Sequence, residues 1–387
     1  MALPFEMIDE VLCRLPVKPL LRFRCMSKGW CSLIDSNAFA KKQLKTSLDC
    51  NAGVGVLIAK LANGGDKRFY LAGFDSLEDE SPCVVQIDDP FKSFLSDVLI
   101  VGASNGLMCV FKGKQKDIFL LNLTTRKYRK IASAPPEFPS SFSWNEKHLC
   151  GFGYDEVNDD FKVVKIAQCY VQFRGLIAMV YSLKTNAWTR IQEVPSSIRF
   201  TEIRGLFARG SLHWMAKEDQ INGKDVIVGF NLELQQFKKV PLPPIESTLA
   251  NSRNRILVDV GGYLSVLDCK DNDMDVWLMN YPGAVRTWHK ALSRKNSEVV
   301  GTFRFTKPVA FSRSGEDLLI LERNDFATKL MWYNLDQKTV KNVGIRGIPV
   351  HFTLFLYTES LLQLSEDNLL QQKPSKNNQR NIFLSHL

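Results

Sequence analysis

At 387 residues, with 45% hydrophobic and 24% charged side chains, the chain has the composition of a folded protein too long for a single core. Its formal charge is +9, of which +4 falls in residues 1–45. No Lys/Arg block interleaved with aromatics marks a nucleic-acid surface, and no run approaches the ~18 apolar residues of a membrane helix.

The chain begins with apolar residues at Met7, Ile8, Val11, Leu12 and Leu15, the spacing of one helix face. Acidic Glu6, Asp9 and Glu10, with no basic stretch before them, do not read as a secretory leader. Pro16 ends this helix, since the residue before a proline is driven out of the helical region. Pro19 suits the first turn of a second helix carrying Leu20, Leu21, Phe23 and Met26. Ser27 is the expected cap of a third segment holding Trp30, Leu33 and Ile34, with Phe39 beyond it. Three short helices in about forty residues cannot enclose a self-sufficient core, so the unit needs a partner and its apolar side reads as a docking surface.

Leu-Pro-Val-Lys at 15–18 alone would fit any amphipathic helix pair. The ordered set Leu3-Pro4, the Ile8/Val11/Leu12 face, Leu15-Pro16-Val17-Lys18, Leu20-Leu21-Arg22-Phe23-Arg24-Cys25, Ser27-Lys28 and Trp30 is more specific and resembles a plant-type F-box. Met26 departs from the family, which more often has valine there. The resemblance implies a three-helix unit that docks on a Skp-type adaptor, and through it reaches the cullin and RING subunits of a ubiquitin ligase. Carried onto this sequence, the adaptor-binding residues are Leu3, Pro4, Ile8, Val11, Leu12, Leu15, Pro16, Val17 and Leu20.

The expected division is a helical unit at 1–45, a linker at 46–52, an all-β domain at 53–365 and a polar tail at 366–387. The tail lacks periodicity and reads as disordered. In the β domain, period-two alternation is cut by Gly, Asn and Asp turns. One pattern recurs: a strand, a tight polar turn, and a return strand entered through an aromatic. It runs over 120–131, 180–191, 229–240 and 332–343, the last with Val340 in place of the aromatic, and more loosely from Trp277 to Leu292. The turn positions Asn122, Ser182, Asn231, Asn280 and Asn334 are 60, 49, 49 and 54 residues apart. A period near fifty means a propeller. Five blades fit between 97 and 345. Strands at Val54–Lys60, Arg68–Phe74 and Cys83–Asp88 lack a fourth, which His351–Thr358 can supply, so the expectation is six blades closed by a terminal strand clasp.

This part also resembles a family, the F-box-associated domain. The matching stretches are Asn105-Gly106-Leu107-Met108-Cys109, Gly151-Phe152-Gly153-Tyr154-Asp155 with Asp160-Phe161-Lys162-Val163-Val164, and Gly210-Ser211-Leu212-His213-Trp214. Val276-Trp277-Leu278-Met279 and Tyr357-Thr358-Glu359-Ser360-Leu361 complete the set. The resemblance implies the substrate-recognition subunit of a Skp–Cullin–F-box ligase with a protein client.

No catalytic constellation stands out. The histidines at 148, 213, 289, 351 and 386 never fall in a metal-ligand spacing, and His213 between Leu212 and Trp214 reads as structural. Asp271, Asp273 and Asp275 imitate the start of a calcium loop, but Val276 and Pro282 stand where Gly and Glu are needed. There is no nucleophile elbow or phosphate-binding glycine loop. Nine cysteines without a Cys-x-x-Cys pair fit reduced thiols of cytosol or nucleus. The expected protein is therefore not an enzyme and has no cofactor, metal, nucleic-acid or membrane partner. Its client contacts are sought on Phe138, Phe142 and Trp144, in the Pro/Ser-rich loop 133–147. A scaffold that delivers no client, or a propeller enzyme, are the alternative functions.

Overall fold

The computed structural model describes residues 5–50, 52–60, 68–88, 94–95, 98–112, 117–136, 138, 146–169, 176–195, 197–218, 223–244, 253–270, 273–280, 287–294, 305–324 and 326–364. Four helices come first: α1 (Phe5–Leu12), α2 (Val17–Phe23), α3 (Lys28–Ile34) and α4 (Asn37–Asp49). Extended Pro16 separates α1 from α2, and the Ser27 side chain accepts from the Trp30 N–H at 3.2 Å, as the sequence predicts. The fourth helix corrects the expectation of three. It is capped by Ser36, whose hydroxyl accepts from Phe39 N, and its last turn occupies residues 46–49 of the expected linker. Its inward face was hidden from hydrophobic periodicity because Gln43 and Ser47 stand among Phe39, Ala40 and Leu44. These polar groups are satisfied internally: the Gln43 amide donates to Leu15 O at 3.2 Å and to Ser47 Oγ at 3.0 Å. Among the described residues no helix is long and apolar enough to cross a membrane.

The remainder is all β and propeller-like. The closing sheet runs Phe352–Thr358, Val54–Lys60, Phe69–Gly73, Val84–Gln86. Its first two strands pair antiparallel over seven residues, from Val54 opposite Thr358 to Lys60 opposite Phe352. The expected clasp is this pairing. Three more four-stranded sheets are Val98–Ser104 through Lys127–Lys130, Arg253–Val260 through Thr287–Arg294, and Phe305–Phe311 through Val340–Asn342.

Six separate blades are not what the structure has. Four sheets stand as separate four-stranded blades, and the segments expected as two further blades form one nine-stranded sheet. Strand Glu146–Asp155 pairs in parallel with Arg204–Ala208, joining Gly151 to Gly205 and Cys150 to Arg204. Glycine makes this approach possible. A Cβ on Gly205 would lie 2.4 Å from the buried Trp214 ring, and one on Gly151 would lie 2.7 Å from Leu212.

The recurring turn has a physical basis. Asn122, Asn231 and Asn334 each accept, through the side-chain oxygen, a backbone N–H two or three residues ahead, and Ser182 does so with its hydroxyl. Four residues after each of these, Arg126, Asn186, Gln235 and Lys338 adopt left-handed φ of 57°, 53°, 53° and 56°. The fifth copy's turn lies outside the described residues.

A buried ion pair bolts the two halves of the nine-stranded sheet together. Lys162 Nζ donates to Asp155 Oδ2 at 2.6 Å and to Leu232 O at 2.7 Å, with side chains 5% and 1% exposed for Lys162 and Asp155. Burial pushes the Asp155 carboxyl up, but bonds from Lys162 and Asn158 outweigh it and hold its pKa below the ordinary value. A depressed folded-state pKa contributes stability above the unfolded value of about 4, and that contribution is lost as pH falls through the folded value. Lys162→Met strands the carboxylate, so denaturant unfolding at neutral pH should show a loss of about 3–5 kcal/mol. The gap between variant and parent should narrow below about pH 4; a constant gap would remove the ion pair as its cause.

Candidate functional site

The hairpin geometry sorts the connections into two ends. Tight turns at 105–106, 123–126, 156–159, 183–186, 209–210, 232–235, 261–262, 313–316 and 335–338 share one end. Most of the longer connections, as far as their described residues 131–136, 197–203, 241–244 and 343–351 show, fall at the other.

The helical unit sits on the tight-turn end. Leu12, Cys13, Val17, Leu20, Ile34, Phe39, Ala40 and Leu44 join one continuous apolar core with Leu107, Cys109 and Phe111, with Cys150 and Phe152, and with Leu361, Leu362 and Leu364. Leu44 lies against the Asn105-Gly106 turn, 3.7 Å from where a Cβ on Gly106 would be. Two ion pairs cross the junction. Lys41 pairs with Asp159, whose carboxyl is held low first by that ammonium and then by the Tyr154 hydroxyl, and Lys18 lies 3.4 Å from Glu359.

The stretch Glu359–Leu364 is the floor beneath the helices. The buried Asn122 side-chain amide donates to Ser360 O at 3.0 Å, Ser360 Oγ at 2.9 Å and Leu362 O at 3.1 Å. Ser360 Oγ in turn donates to Gly106 O at 3.1 Å. One turn of the second sheet thereby grips the segment that follows the last strand.

The sequence-predicted adaptor residues divide three ways. Leu3 and Pro4 lie outside the described residues. Leu12, Val17 and Leu20 are buried in the shared core, with Ile8 and Leu15 half-buried against it. Val11, 60% exposed, and Pro16 face solvent. Beside Val11, one helical turn away, stands Met7 at 54% exposure, which sequence reading placed on the helix face without marking it as a contact. Among the predicted client contacts, Phe138 is buried with Ala167 and Met179, edge-on to His148 and under the Lys165 ammonium. That corrects its assignment: the side chain lies in the core, and the Phe138 N–H bonds back to Pro135 O at 2.9 Å. Phe142 and Trp144 lie outside the described residues.

Several chemistry-bearing groups have structural settings. Glu202, whose pKa burial pushes up, accepts backbone N–H groups from Leu257 at 3.1 Å and Met215 at 3.3 Å, bracing strands of two sheets. His213 is buried in its strand. Asp275 accepts from Lys290 and Ser293 on the neighbouring strand. No cluster of three or more His, Cys, Asp or Glu able to hold a metal occurs among the described residues.

Comparison with known proteins agrees with this architecture. The F-box domain family matches residues 1–42, and the F-box associated beta propeller domain family matches residues 65–364. F-box protein CPR1 of Arabidopsis thaliana is 28% identical over 382 residues, covering 93% of this chain and 88% of that protein. F-box/kelch-repeat protein At3g23880 of the same plant is 29% identical over 344 residues, covering 86% and 87%. F-box protein At4g22390, also from Arabidopsis thaliana, is 26% identical, covering 96% and 93%.

Proposed function

Because this chain belongs to the F-box proteins that carry an F-box associated beta propeller domain, we propose that it is the substrate-recognition subunit of a Skp–Cullin–F-box ubiquitin ligase. The helical unit, residues 1–45, docks on a Skp-type adaptor and through it on cullin and RING subunits. The propeller domain recruits a protein client. The polypeptide itself catalyses nothing: the conjugating enzyme is brought by the RING partner, and the work is done in cytosol or nucleus.

The observation that carries this reading is the polarity of the molecule. The helices occupy the tight-turn end and leave the longer connections free at the opposite end, so adaptor and client need not compete for one surface. Recognition belongs on connections because the blades carry the fold whatever their sequence. The test is quantitative proteomics on cells expressing the wild type or the Met7→Glu/Val11→Asp variant. A client should co-purify with both forms, and its abundance should be several-fold higher with the variant, matching the rise on proteasome inhibition. A protein set whose abundance is indifferent to both would refute the receptor role and leave a scaffold that delivers nothing.

A further inference from the structure

Among the described residues the most solvent-exposed large apolar side chain is Phe326, at 84%. It sits on the connection between strands Asp317–Arg323 and Thr328–Asn334, at the end of the propeller opposite the helices. The turn that presents it is fixed. Asn324 Oδ1 accepts both the Phe326 N–H at 2.9 Å and the Ala327 N–H at 2.8 Å. Val350, 61% exposed, stands on the neighbouring connection into the closing strand. The two connections are sewn together where Thr328 N donates to Val350 O at 2.8 Å and Thr328 Oγ1 accepts from Phe352 N at 3.4 Å. A phenylalanine and a valine thus stand exposed on two connections that hydrogen bonds tie together.

In sequence the two connections are basic on balance. Arg323 and Lys329 flank the Phe326 turn in sequence, and Arg346 and His351 belong to the second connection. Asp325 is the single acid in residues 323–329 and 343–351. Arg346 is exposed and makes no ion pair among the described residues. Exposed apolar anchors on connections of basic sequence match a partner that brings an apolar side chain within an acidic stretch.

We propose that Phe326 and Val350 anchor an acidic client segment bearing a Leu, Ile, Val or Phe side chain, a proposal that rests on the receptor function above. The turn geometry is set before binding, so little ordering entropy is lost at the anchor. The cations steer the encounter and reject basic segments.

The test uses the full chain on an array of random peptides of about 12 residues, a length that spans one extended docking segment. Net-negative peptides containing a large apolar residue should be enriched, and their binding should weaken as salt is raised. Phe326→Ser should lower affinity for the enriched peptides by about tenfold or more, with Val350→Ser lowering it less. Arg346→Glu should cut the preference for acidic peptides without removing the apolar requirement. All three sites are on the surface, so melting temperatures should stay near the parent's. No enrichment, or enrichment that Phe326→Ser leaves intact, overturns the proposal. So does a concentration-dependent dimer abolished by Phe326→Ser, which would give the patch to a second copy of the chain. Adaptor capture by Phe326→Ser, measured in parallel, should match the parent. A client that still binds this variant sinks the patch alone, whereas the absence of any client sinks the receptor role.

Discussion

Converting Met7 to Glu and Val11 to Asp together is expected to abolish capture by a Skp-type adaptor while the chain melts as the parent does. The two side chains lie one turn apart on α1 and are 54% and 60% exposed, so the folded chain alone loses almost nothing by their replacement. Exposed substitutions of this kind stay within about ±0.5 kcal/mol. In a complex the same positions would be desolvated, and truncating an apolar hot spot costs about 2 kcal/mol or more. Burying a carboxylate there adds a further desolvation penalty. Together the pair should weaken binding well over 100-fold, read as loss of co-purification at micromolar concentrations. The position matters. Leu12, Val17 and Leu20 belong to the shared core, so an aspartate at any of them would unfold the helical unit and lose the adaptor for a trivial reason. Undiminished capture by the Met7/Val11 variant, with an unchanged melt, would refute the docking face.

The second large effect is at Asn122. Asn122→Ala should cost about 3 kcal/mol or more, because three acceptors on Ser360 and Leu362 lose their donor while remaining buried. The variant also loses the acceptor for Thr124 and Thr125 N–H, but that loss has its own control. Asn231 occupies the same place in the repeat and its oxygen holds only its own turn, through Leu234 N at 2.7 Å. Asn231→Ala should therefore cost only about 1 kcal/mol. The excess at Asn122 measures the grip on the segment beneath the helices. Hydrogen exchange should locate it: amides of α4 and of residues 359–364 should lose protection before those of the blades. Equal costs at the two asparagines would mean that the helical unit is seated by other contacts.

Much of this architecture was legible in the sequence, for identifiable reasons. Proline and serine punctuation marked α1 to α3, because Pro16 and Ser27 act locally. The blade repeat was visible because each tight turn needs an Asx or Ser acceptor and then a left-handed residue, a rule enforced within five positions. What stayed hidden depends on distant partners. Gln43 looks like a surface residue until Leu15 O and Ser47 are placed beside it. Nothing near Gly151 or Gly205 in sequence shows that they let two inner strands pair. Asn122 carries the same letter as Asn231, and only partners about 240 positions away set it apart. Phe138 reads as a loop aromatic because nothing near it in sequence reveals the pocket of Ala167 and Met179. Phe326 is silent in the sequence for a different reason, since a lone aromatic in a short turn carries no periodic signal at all.

The pairing of residues 54–60 with 352–358 has a consequence for synthesis. As the chain leaves the ribosome, the helices emerge first, yet the strand that closes the ring and the leucines on which the helices rest come hundreds of codons later. Such non-local pairing is slow, and until it forms the nascent chain carries two open sheet edges. A message cut short before residue 352 would yield a polypeptide with helices but no seat for them, ready for disposal by quality control instead of competing for adaptor.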